Sequence, residues 1–354
     1  MIGKGQNMSR RKWFQMLVVT VVIVCLLVLS VVVSAQGNSD NAFEHVKQVQ
    51  ERHTAKLMAQ KGVVGTAVGL TEDHQAALLV LLEEAGVAAV PAELDGVPVR
   101  PLVTGKIQAL APDRTLLSKG KAPQKVDPTA WFPRPVPIGV STGNATSYSA
   151  GTIGCRVNKG GKVYALSNNH VYALENQANL GDKVVQPGLY DTKGTYSFAN
   201  DIGTLAEFVP LDFSTTASNR VDCAIAASSK SLLGNSTPAD GYGTPTSETT
   251  TATIGMAVQK YGRTTSLTRG TITAINATIN IGYSSGTARF VGQVIVQSRA
   301  PFLKAGDSGS LLVTDPGRSP VGLLYAGNSS GNFAVANHID DVLDDLGVSI
   351  DGGW

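Results

Sequence analysis

A serine between glycines is the residue of this sequence best suited to act as a nucleophile. Ser308 lies in the segment Gly-Asp-Ser-Gly-Ser at positions 306–310, directly before the apolar run 311–313. Glycine at position 306 lets the backbone turn so that the N–H groups of Gly306 and Ser308 can point into one hole. Because such donors stabilise the negative oxygen of a tetrahedral intermediate, the segment predicts an oxyanion hole at these two amides.

A serine hydroxyl is a poor nucleophile without a base beside it, and the sequence offers five histidines. His170 differs from the others because it closes the strand-like run 163–167 and begins a short polar turn. An exposed or capping role is the ordinary interpretation of the other four, which are His45, His53, His74 and His338. His170 is therefore the candidate base, although its position alone also allows a non-catalytic role.

The third requirement is a carboxylate that holds the tautomer of the histidine and stabilises the imidazolium. Asp222 precedes the apolar run 223–227, whose small residues allow close packing around a buried charge. Asp201 and Asp212 compete with it, but both occur in polar, turn-like stretches where a solvated aspartate is the ordinary case. Asp222 is therefore the candidate partner of His170.

The second half of the chain has the composition of short strands joined by many turns. Charged residues make up 16% of the 354 residues, below the roughly 25% of an average soluble protein. Strand-like runs recur after residue 138, which indicates a β-barrel or a sandwich. They are 151–157, 162–167, 221–227, 257–261, 270–281, 288–297, 310–313 and 321–325. Residues 337–346 have helical spacing, so the domain is predicted to end on a helix.

The N-terminal end has the features of an export signal. Basic residues precede an uncharged apolar stretch at 16–33, and small residues follow at signal-peptidase spacing. Residues 1–35 are therefore predicted to be a cleaved signal peptide or a single retained membrane anchor, with the rest of the chain outside the cytoplasm. Membrane contact is expected through this segment alone. The formal charge of +2 gives no reason to expect a nucleic-acid partner.

Two further segments separate this signal from the strand-rich half. Residues 41–60 show helical spacing, and the runs 64–70, 76–82 and 97–103 indicate strands. Together they predict a small α+β module at 41–110, either a pro-region or an accessory domain. Residues 111–137 are rich in proline and lysine, which is typical of an exposed linker.

Three segments, taken in chain order, resemble the signatures of trypsin-like serine peptidases. They are 166–171 around His170, 221–226 around Asp222 and 306–310 around Ser308. The asparagines before His170 resemble HtrA-type bacterial members, and 262–272 is similar to a segment of streptogrisins and α-lytic protease. The resemblance covers residues 138–346.

This resemblance implies a mainly β fold of two antiparallel six-stranded β-barrels with a C-terminal helix, and a site in the cleft between the barrels. His170 would be general base and then acid, Asp222 its orienting partner and Ser308 the nucleophile. The chain would then be an exported serine endopeptidase that cleaves polypeptides through an acyl-enzyme intermediate, without a metal or cofactor. Nothing in the sequence indicates an oligomeric state.

The resemblance also implies a buried ion pair near the serine. In the bacterial relatives that 262–272 resembles, an arginine of this segment meets the aspartate that precedes the serine. The corresponding residues are Arg263 and Asp307, so we expect them to pair.

Specificity in this family is set by residues just before the serine and on the strand after it. No carboxylate occurs in residues 291–306, so we expect an apolar or small residue before the cleaved bond. The residues expected to line the pocket are Phe302, Ala305, Tyr325, Ala326 and Gly327. Tyr325 stands where the family usually has serine.

Two cysteines fall in the peptidase-like region. Cys155 and Cys223 are both expected on strands of the first barrel, whereas Cys25 lies in the N-terminal apolar run. Two thiols in an oxidising compartment can form a disulfide. The alternative is two buried free thiols, because a disulfide needs a narrow Cα separation.

Two other functions are considered. The pattern Gly-x-Ser-x-Gly occurs at 282–286 and 327–331, and Ser284, Asp315 and His338 follow the chain order of an α/β-hydrolase esterase. That fold needs a helix after the serine, whereas 288–297 is strand-like, which makes 282–286 a hairpin tip. The other alternative is a non-catalytic binding module on the trypsin-like fold.

Overall fold

The protein is mainly β-structure, arranged as one sheet of eleven strands and one of eight. The computed structural model describes residues 41–109 and 126–353. Helix α1 covers residues 41–58; the other helices are α2 (Asn169–Tyr172), a 3-10 turn (Phe198–Asn200) and α3 (Ile339–Leu346). The strands are β1 (Val63–Leu70), β2 (Ala76–Leu82), β3 (Glu93–Leu94), β4 (Val97–Val103), β5 (Gln108–Ala109), β6 (Ser141–Asn144), β7 (Gly151–Thr152), β8 (Cys155–Lys159), β9 (Lys162–Ser167), β10 (Lys183–Val185), β11 (Asp201–Phe208), β12 (Ala224–Ser228), β13 (Ala257–Gly262), β14 (Ser266–Tyr283), β15 (Gly286–Gln297), β16 (Leu311–Thr314), β17 (Pro320–Gly327), β18 (Phe333–His338) and β19 (Ser349–Ile350).

Six strands of the larger sheet close into a barrel, the C-terminal barrel. Their hydrogen-bonded order is β13-β16-β17-β18-β15-β14, and β14 pairs again with β13, which closes the ring. Every neighbouring pair in the ring is antiparallel. Side chains alternate between the two faces of each strand, and the buried ones, such as Val258, Ile272 and Leu312, form a hydrophobic core.

The smaller sheet forms the N-terminal barrel, in the order β8-β9-β12-β11-β10-β6-β7. β7 leads through Ile153 into β8, and Ile153 continues the ladder to the segment before β6. Its N–H donates to Val140 O at 3.0 Å, and Gly139 N–H donates to Ile153 O at 2.7 Å. With β7 and β8 taken as one interrupted strand, six strands surround the core. The expected pair of six-stranded barrels with a C-terminal helix, α3, is therefore confirmed.

Residues 41–109 extend the sheet of the C-terminal barrel. β1 pairs antiparallel with β14, and β2 and β4 continue the sheet outward. α1 covers this extension through Val46, Val49 and Leu57. The helix and the three main strands indicated by the sequence pattern are thus present, and their sheet is continuous with the barrel.

A buried polar contact also joins α1 to β14. The side-chain amide of Gln50 donates to Asn276 O at 2.9 Å, and the amide of Asn276 donates back to Gln50 Oε1 at 3.0 Å. Gln50 is 2% exposed, so these bonds satisfy a polar group that would otherwise be costly to bury.

Two of the predicted segments lie wholly or largely outside the described residues: the export signal at 1–35 and most of the linker at 111–137. At the end of the linker, Val136 N–H donates to Leu232 O at 2.9 Å and Ile138 N–H to Ser236 O at 3.0 Å. Both side chains are buried, so residues 136–138 belong to the N-terminal barrel. Within 41–109 and 126–353, no helix is both long and apolar enough to span a membrane.

Some strands are not indicated by the sequence pattern, namely β3, β5, β6, β10, β11, β18 and β19. β6 is buried at all four positions although its residues are polar or small, and β10 has only three residues. Neither therefore carries the apolar alternation by which a strand is recognised.

Of the two alternatives for the cysteines, the disulfide is wrong and the buried free thiols are correct, because Cys155 and Cys223 are both buried and unbonded to each other. Cys155 is on β8, which pairs with one edge of β9, while β12 follows Cys223 and pairs with the other edge. Strands on opposite sides of a third lie about 10 Å apart, beyond the Cα separation of a disulfide. Burial raises the pKa of both thiols.

Candidate active site

His170 and Asp222 form a buried pair at one end of the N-terminal barrel. His170 lies on α2 directly after β9, and Asp222 lies just before β12, the antiparallel partner of β9. Nδ1 of His170 is 2.6 Å from Oδ2 of Asp222, and the backbone N–H of His170 donates to Oδ1 at 3.2 Å. The exposed fractions of the two side chains are 2% and 0%. Because Nδ1–H donates to the carboxylate, Nε2 is the nitrogen that can accept a proton.

Asparagine side chains fix the backbone of Asp222 on both sides. Asn168 Nδ2 donates to Asp222 O at 2.7 Å, and Asp222 N–H donates to Asn337 Oδ1 at 3.0 Å. Asn337 lies on β18, so one of these bonds crosses from one barrel to the other. The pair of barrels therefore sets the position of the carboxylate.

A tyrosine from the C-terminal barrel also contacts this carboxylate. The hydroxyl of Tyr283, the last residue of β14, donates to Asp222 Oδ2 at 2.8 Å. Its ring meets the ring of His170 edge to face, with 5.9 Å between centroids and 70° between planes. Burial, followed by the negative charge of Asp222, raises the pKa of Tyr283 well above its ordinary value. The phenol thus remains a donor at neutral pH.

Ser308 lies in the turn before β16 and faces the N-terminal barrel. Thr152 N–H donates to Ser308 O at 2.8 Å. A Cβ added at Gly151 would lie 3.1 Å from that oxygen and 2.6 Å from the side chain of Val171. Ser308 and the residue after His170 therefore flank the same glycine, and the structure brings the three predicted residues to one place.

The hydroxyl of Ser308 donates to Tyr325 O at 3.2 Å. Among the described residues, His170 Nε2 has no hydrogen-bond partner. The side chains of Ser308 and His170 are therefore not hydrogen-bonded to each other.

The turn before Ser308 requires glycine at position 306. Gly306 has φ of +93°, in the left-handed region that favours glycine. A Cβ there would lie 2.5 Å from Nη1 of Arg263. Thr152 Oγ1 donates to Gly306 O at 2.9 Å, so the N-terminal barrel also holds this peptide in place.

The predicted ion pair between Arg263 and Asp307 is wrong, because a different cation meets the aspartate. Nζ of Lys260 is 3.6 Å from Asp307 Oδ2, and both side chains are fully buried. Lys260 and Gly262 share a face of β13, and a Cβ at Gly262 would lie 2.5 Å from Asp307 Oδ1. The alternation of the strand therefore directs residue 260 to Asp307, while residue 263 lies beyond the strand.

The segment after β13 supplies the remaining donors to Asp307. Oδ1 accepts from Thr264 N–H at 2.7 Å and Thr265 N–H at 3.1 Å, and Oδ2 accepts from Thr265 Oγ1 at 2.7 Å and Lys304 N–H at 2.9 Å. A carboxylate with this many donors is well satisfied despite its burial.

Arg263 instead pairs with Asp191 of the N-terminal barrel. Its Nε donates to Asp191 Oδ2 at 2.8 Å and its Nη2 to Oδ1, which is a two-point contact. The guanidinium also lies over the ring of Tyr190, 5.1 Å from the centroid. The arginine therefore links the two barrels beside Gly306.

The residues expected to line a pocket lie in different environments. Phe302 packs in the core of the C-terminal barrel, and Ala305 O accepts from Thr264 Oγ1 at 2.6 Å. Tyr325 is buried with its ring 4.8 Å from that of Phe290.

The edge formed by Ala326 and Gly327 is already paired with another strand. Ala326 pairs antiparallel with Ala109, and Gly327 with Gln108, both of β5. β5 also lies parallel to the end of β14, where Gly282 N–H donates to Ile107 O at 3.0 Å. The segment before residue 110 thus lies along this edge of the candidate site.

The esterase-like motif at 282–286 is a hairpin tip, as expected from the strand that follows it. Tyr283 pairs with Gly286 across the turn between β14 and β15. The hydroxyl of Ser284 donates to Glu175 Oε1 at 2.8 Å. No helix follows this serine, which rules out the strand-serine-helix geometry of an elbow.

Sequence reasoning missed Lys260 and Tyr283, and of the two only Lys260 carries a recognisable signal. Lys260 is a single charge within the predicted strand 257–261, and a charge is rarely buried without a partner. Tyr283 precedes the polar hairpin tip, and only the long-range pairing of the strands places it at Asp222. Within the described ranges, no group of three or more His, Cys, Asp and Glu could hold a metal ion.

No family model and no curated protein matches the sequence. Among solved structures, the chain is similar to Thermobifida fusca protease A, with 19% identity, 61% of this chain and 98% of that chain covered, and a TM-score of 0.45. A Cellulomonas bogoriensis chymotrypsin has 22% identity, with 62% and 99% covered and a TM-score of 0.42. A serine endoprotease from Yersinia pestis has 17% identity, with 64% and 67% covered and a TM-score of 0.33. In fold, the chain resembles bacterial serine proteases of the chymotrypsin type.

Proposed function

We propose that the protein is a serine endopeptidase whose catalytic residues are His170, Asp222 and Ser308. The buried hydrogen bond of 2.6 Å between His170 and Asp222 carries the proposal. A histidine held in this way presents Nε2 as a base. None of the described residues is a hydrogen-bond partner of this nitrogen. The turn of Ser308 comes from the other barrel and lies beside Gly151, which is also next to Val171, the residue after His170; this places the serine on the side of its proposed base.

In the proposed reaction, Ser308 Oγ attacks the carbonyl carbon of a peptide bond while His170 Nε2 takes the hydroxyl proton. Asp222 stabilises the resulting imidazolium through Nδ1–H. The N–H groups of Gly306 and Ser308 donate to the oxyanion of the tetrahedral intermediate. The intermediate collapses when the C–N bond breaks and Nε2 protonates the leaving amine. Water then hydrolyses the acyl-enzyme by the same steps.

A fluorophosphonate probe tests this proposal on the full chain. It should label the protein, and Ser308→Ala or His170→Ala should abolish labelling. Ser284→Ala is the matched control because Ser284 is the serine of the esterase-like motif. Labelling that persists in Ser308→Ala and disappears in Ser284→Ala would contradict the proposal, and a folded protein that reacts with no probe or peptide would favour the binding module.

We also infer that residues 41–109 act as a pro-region that occupies the substrate edge. The antiparallel pairing of β5 with Ala326 and Gly327 supports this, because an extended substrate could use the same main-chain groups by adding a strand. The two cannot bind together. The continuous sheet between β1 and β14 gives this region a fixed position from which β5 reaches the cleft.

We also propose that the chain is exported from the cytoplasm. Residues 1–35 would deliver the remainder of the chain outside the cytoplasm, either as a cleaved signal or as an anchor. N-terminal sequencing of the protein from membrane and culture fractions distinguishes the two, since only an anchored form keeps residues 1–35.

A further inference from the structure

We propose that Tyr283 is a positioning residue for Asp222 and His170, carried to them from the opposite barrel by the β14–β15 hairpin. This rests on the proposed function, because it assigns a role to Tyr283 through the proposed catalytic base. The hydroxyl bond of 2.8 Å to Asp222 Oδ2 is the direct contact.

The carboxylate of Asp222 is fully buried, so its oxygens depend on protein donors. Oδ1 accepts from the backbone of His170, and Oδ2 accepts from both His170 Nδ1 and Tyr283 Oη. The two donors to Oδ2 compete for the same negative charge. The phenol therefore sets how strongly the carboxylate holds Nδ1–H.

A second buried tyrosine nearby, Tyr325, does not bond to Asp222, so burial of a phenol in this region is not enough to make the contact. The hydroxyl of Tyr325 is also buried, and no described residue is its hydrogen-bond partner. Phe290 lies between the two tyrosines, with its ring centroid 6.2 Å from Tyr283 and 4.8 Å from Tyr325. Of these phenols, only that of Tyr283 bonds to the carboxylate.

The hairpin that carries Tyr283 is fastened to the loop after α2. Glu175, five residues after His170, accepts from Ser284 Oγ at 2.8 Å and Ser285 N–H at 2.7 Å. Gln177 Nε2 donates to Ser285 Oγ at 3.1 Å. These bonds attach the tip of the hairpin to the loop after the helix of His170, and so hold the phenol of Tyr283 close to the imidazole.

Tyr283→Phe tests the role because it removes only the donor. In the full chain, the proton resonance of His170 Nδ1–H should move downfield, since Oδ2 becomes a better acceptor for it. We expect kcat on a peptide substrate to fall about tenfold, as for the loss of one hydrogen bond, with KM nearly unchanged. Incorporation of 3-fluorotyrosine at position 283 gives a stronger donor and should move the resonance in the opposite direction.

Tyr261→Phe is the matched control, since Tyr261 Oη donates to Asp240 Oδ1 at 2.9 Å, away from the candidate site. It should leave the His170 resonance in place. A Tyr283→Phe protein that is folded and whose resonance and kcat match those of Tyr261→Phe would overturn the assignment. The resonance needs no turnover, so a wild-type protein that no fluorophosphonate labels would count against the peptidase function while the resonance still decides the role of Tyr283.

Discussion

Lys260 and Asp307 form a fully buried ion pair directly behind the turn that carries Ser308, with 3.6 Å between Nζ and Oδ2. Asp307 also accepts from the backbone N–H groups of residues 264, 265 and 304, so the charge of the lysine adds to a carboxylate already held by backbone donors. Burial lowers the pKa of Lys260, and Asp307 offsets part of that effect. The pair fixes Asp307, the residue between the two proposed oxyanion-hole amides.

We predict that Lys260→Met destabilises the protein by about 3 to 5 kcal/mol, because it leaves a buried carboxylate without its cation. The rate of fluorophosphonate labelling should fall as well, since residues 306–308 lose their support. Urea denaturation and labelling kinetics measure the two effects. Lys162→Met, at an exposed position of β9, should change neither, and equal stability of the two variants would refute the structural role of Lys260.

Ala109→Pro should increase hydrolysis of a short peptide by the uncleaved full chain. Proline removes the N–H of Ala109 and disfavours the pairing of β5 with Ala326, which would clear the proposed substrate edge. The measurement is the initial rate, with the intact mass checked before and after the assay. An unchanged rate in a folded, uncleaved variant would argue against a pro-region at this edge.

Cys155 and Cys223 should both be found as free thiols. Because both are buried and burial raises their pKa, an alkylating reagent should modify neither in the native protein and both after denaturation. Mass spectrometry before and after reduction is the check. A gain of two hydrogens on reduction would show that these cysteines are bonded after all.

Glu175 should make stability depend on pH in the acid range. Burial pushes the pKa of Glu175 up, but hydrogen bonds from Ser285 and Ser284 outweigh it and leave the pKa below its ordinary value. A lowered folded pKa means that the stabilisation is present above the unfolded value of about 4.3 and is lost as pH falls through the folded value.

Glu175→Gln should therefore be less stable than the wild type at pH 7, and the difference should shrink towards pH 3. Thermal unfolding across this range measures it. Glu248→Gln, at an exposed position, should follow the wild-type curve throughout. A constant difference between Glu175→Gln and wild type would show that the charge of Glu175 has no part in it.

The sequence pattern predicts the strands whose buried face is apolar, and it fails for strands whose buried residues are polar or small. Runs such as 162–167 correspond closely to β9, whereas β6 is a buried strand of Ser, Thr, Gly and Asn. Its burial comes from neighbours in the barrel, which a local pattern does not contain.

In the candidate site, too, some residues can be identified from the local sequence and others only from the fold. His170, Asp222 and Ser308 stand in recognisable local segments, so each could be selected before the fold was known. The cation of Asp307 could not be chosen from the chain order alone, because Lys260 and Arg263 are only three residues apart. The register of β13 decides between them, and it directs Arg263 to Asp191 instead.

The pairing of β1 with β14 has a consequence for any form of the chain that loses residues 41–109. The segment from Ile275 to Ile279 would then be left without its partner, and it would present bare main-chain donors and acceptors at the surface. Exposed edges of this kind recruit strands from other molecules. Removal of the region would thus exchange a contact within one chain for a tendency to associate between chains, and the oligomeric state of the shortened protein would depend on its concentration.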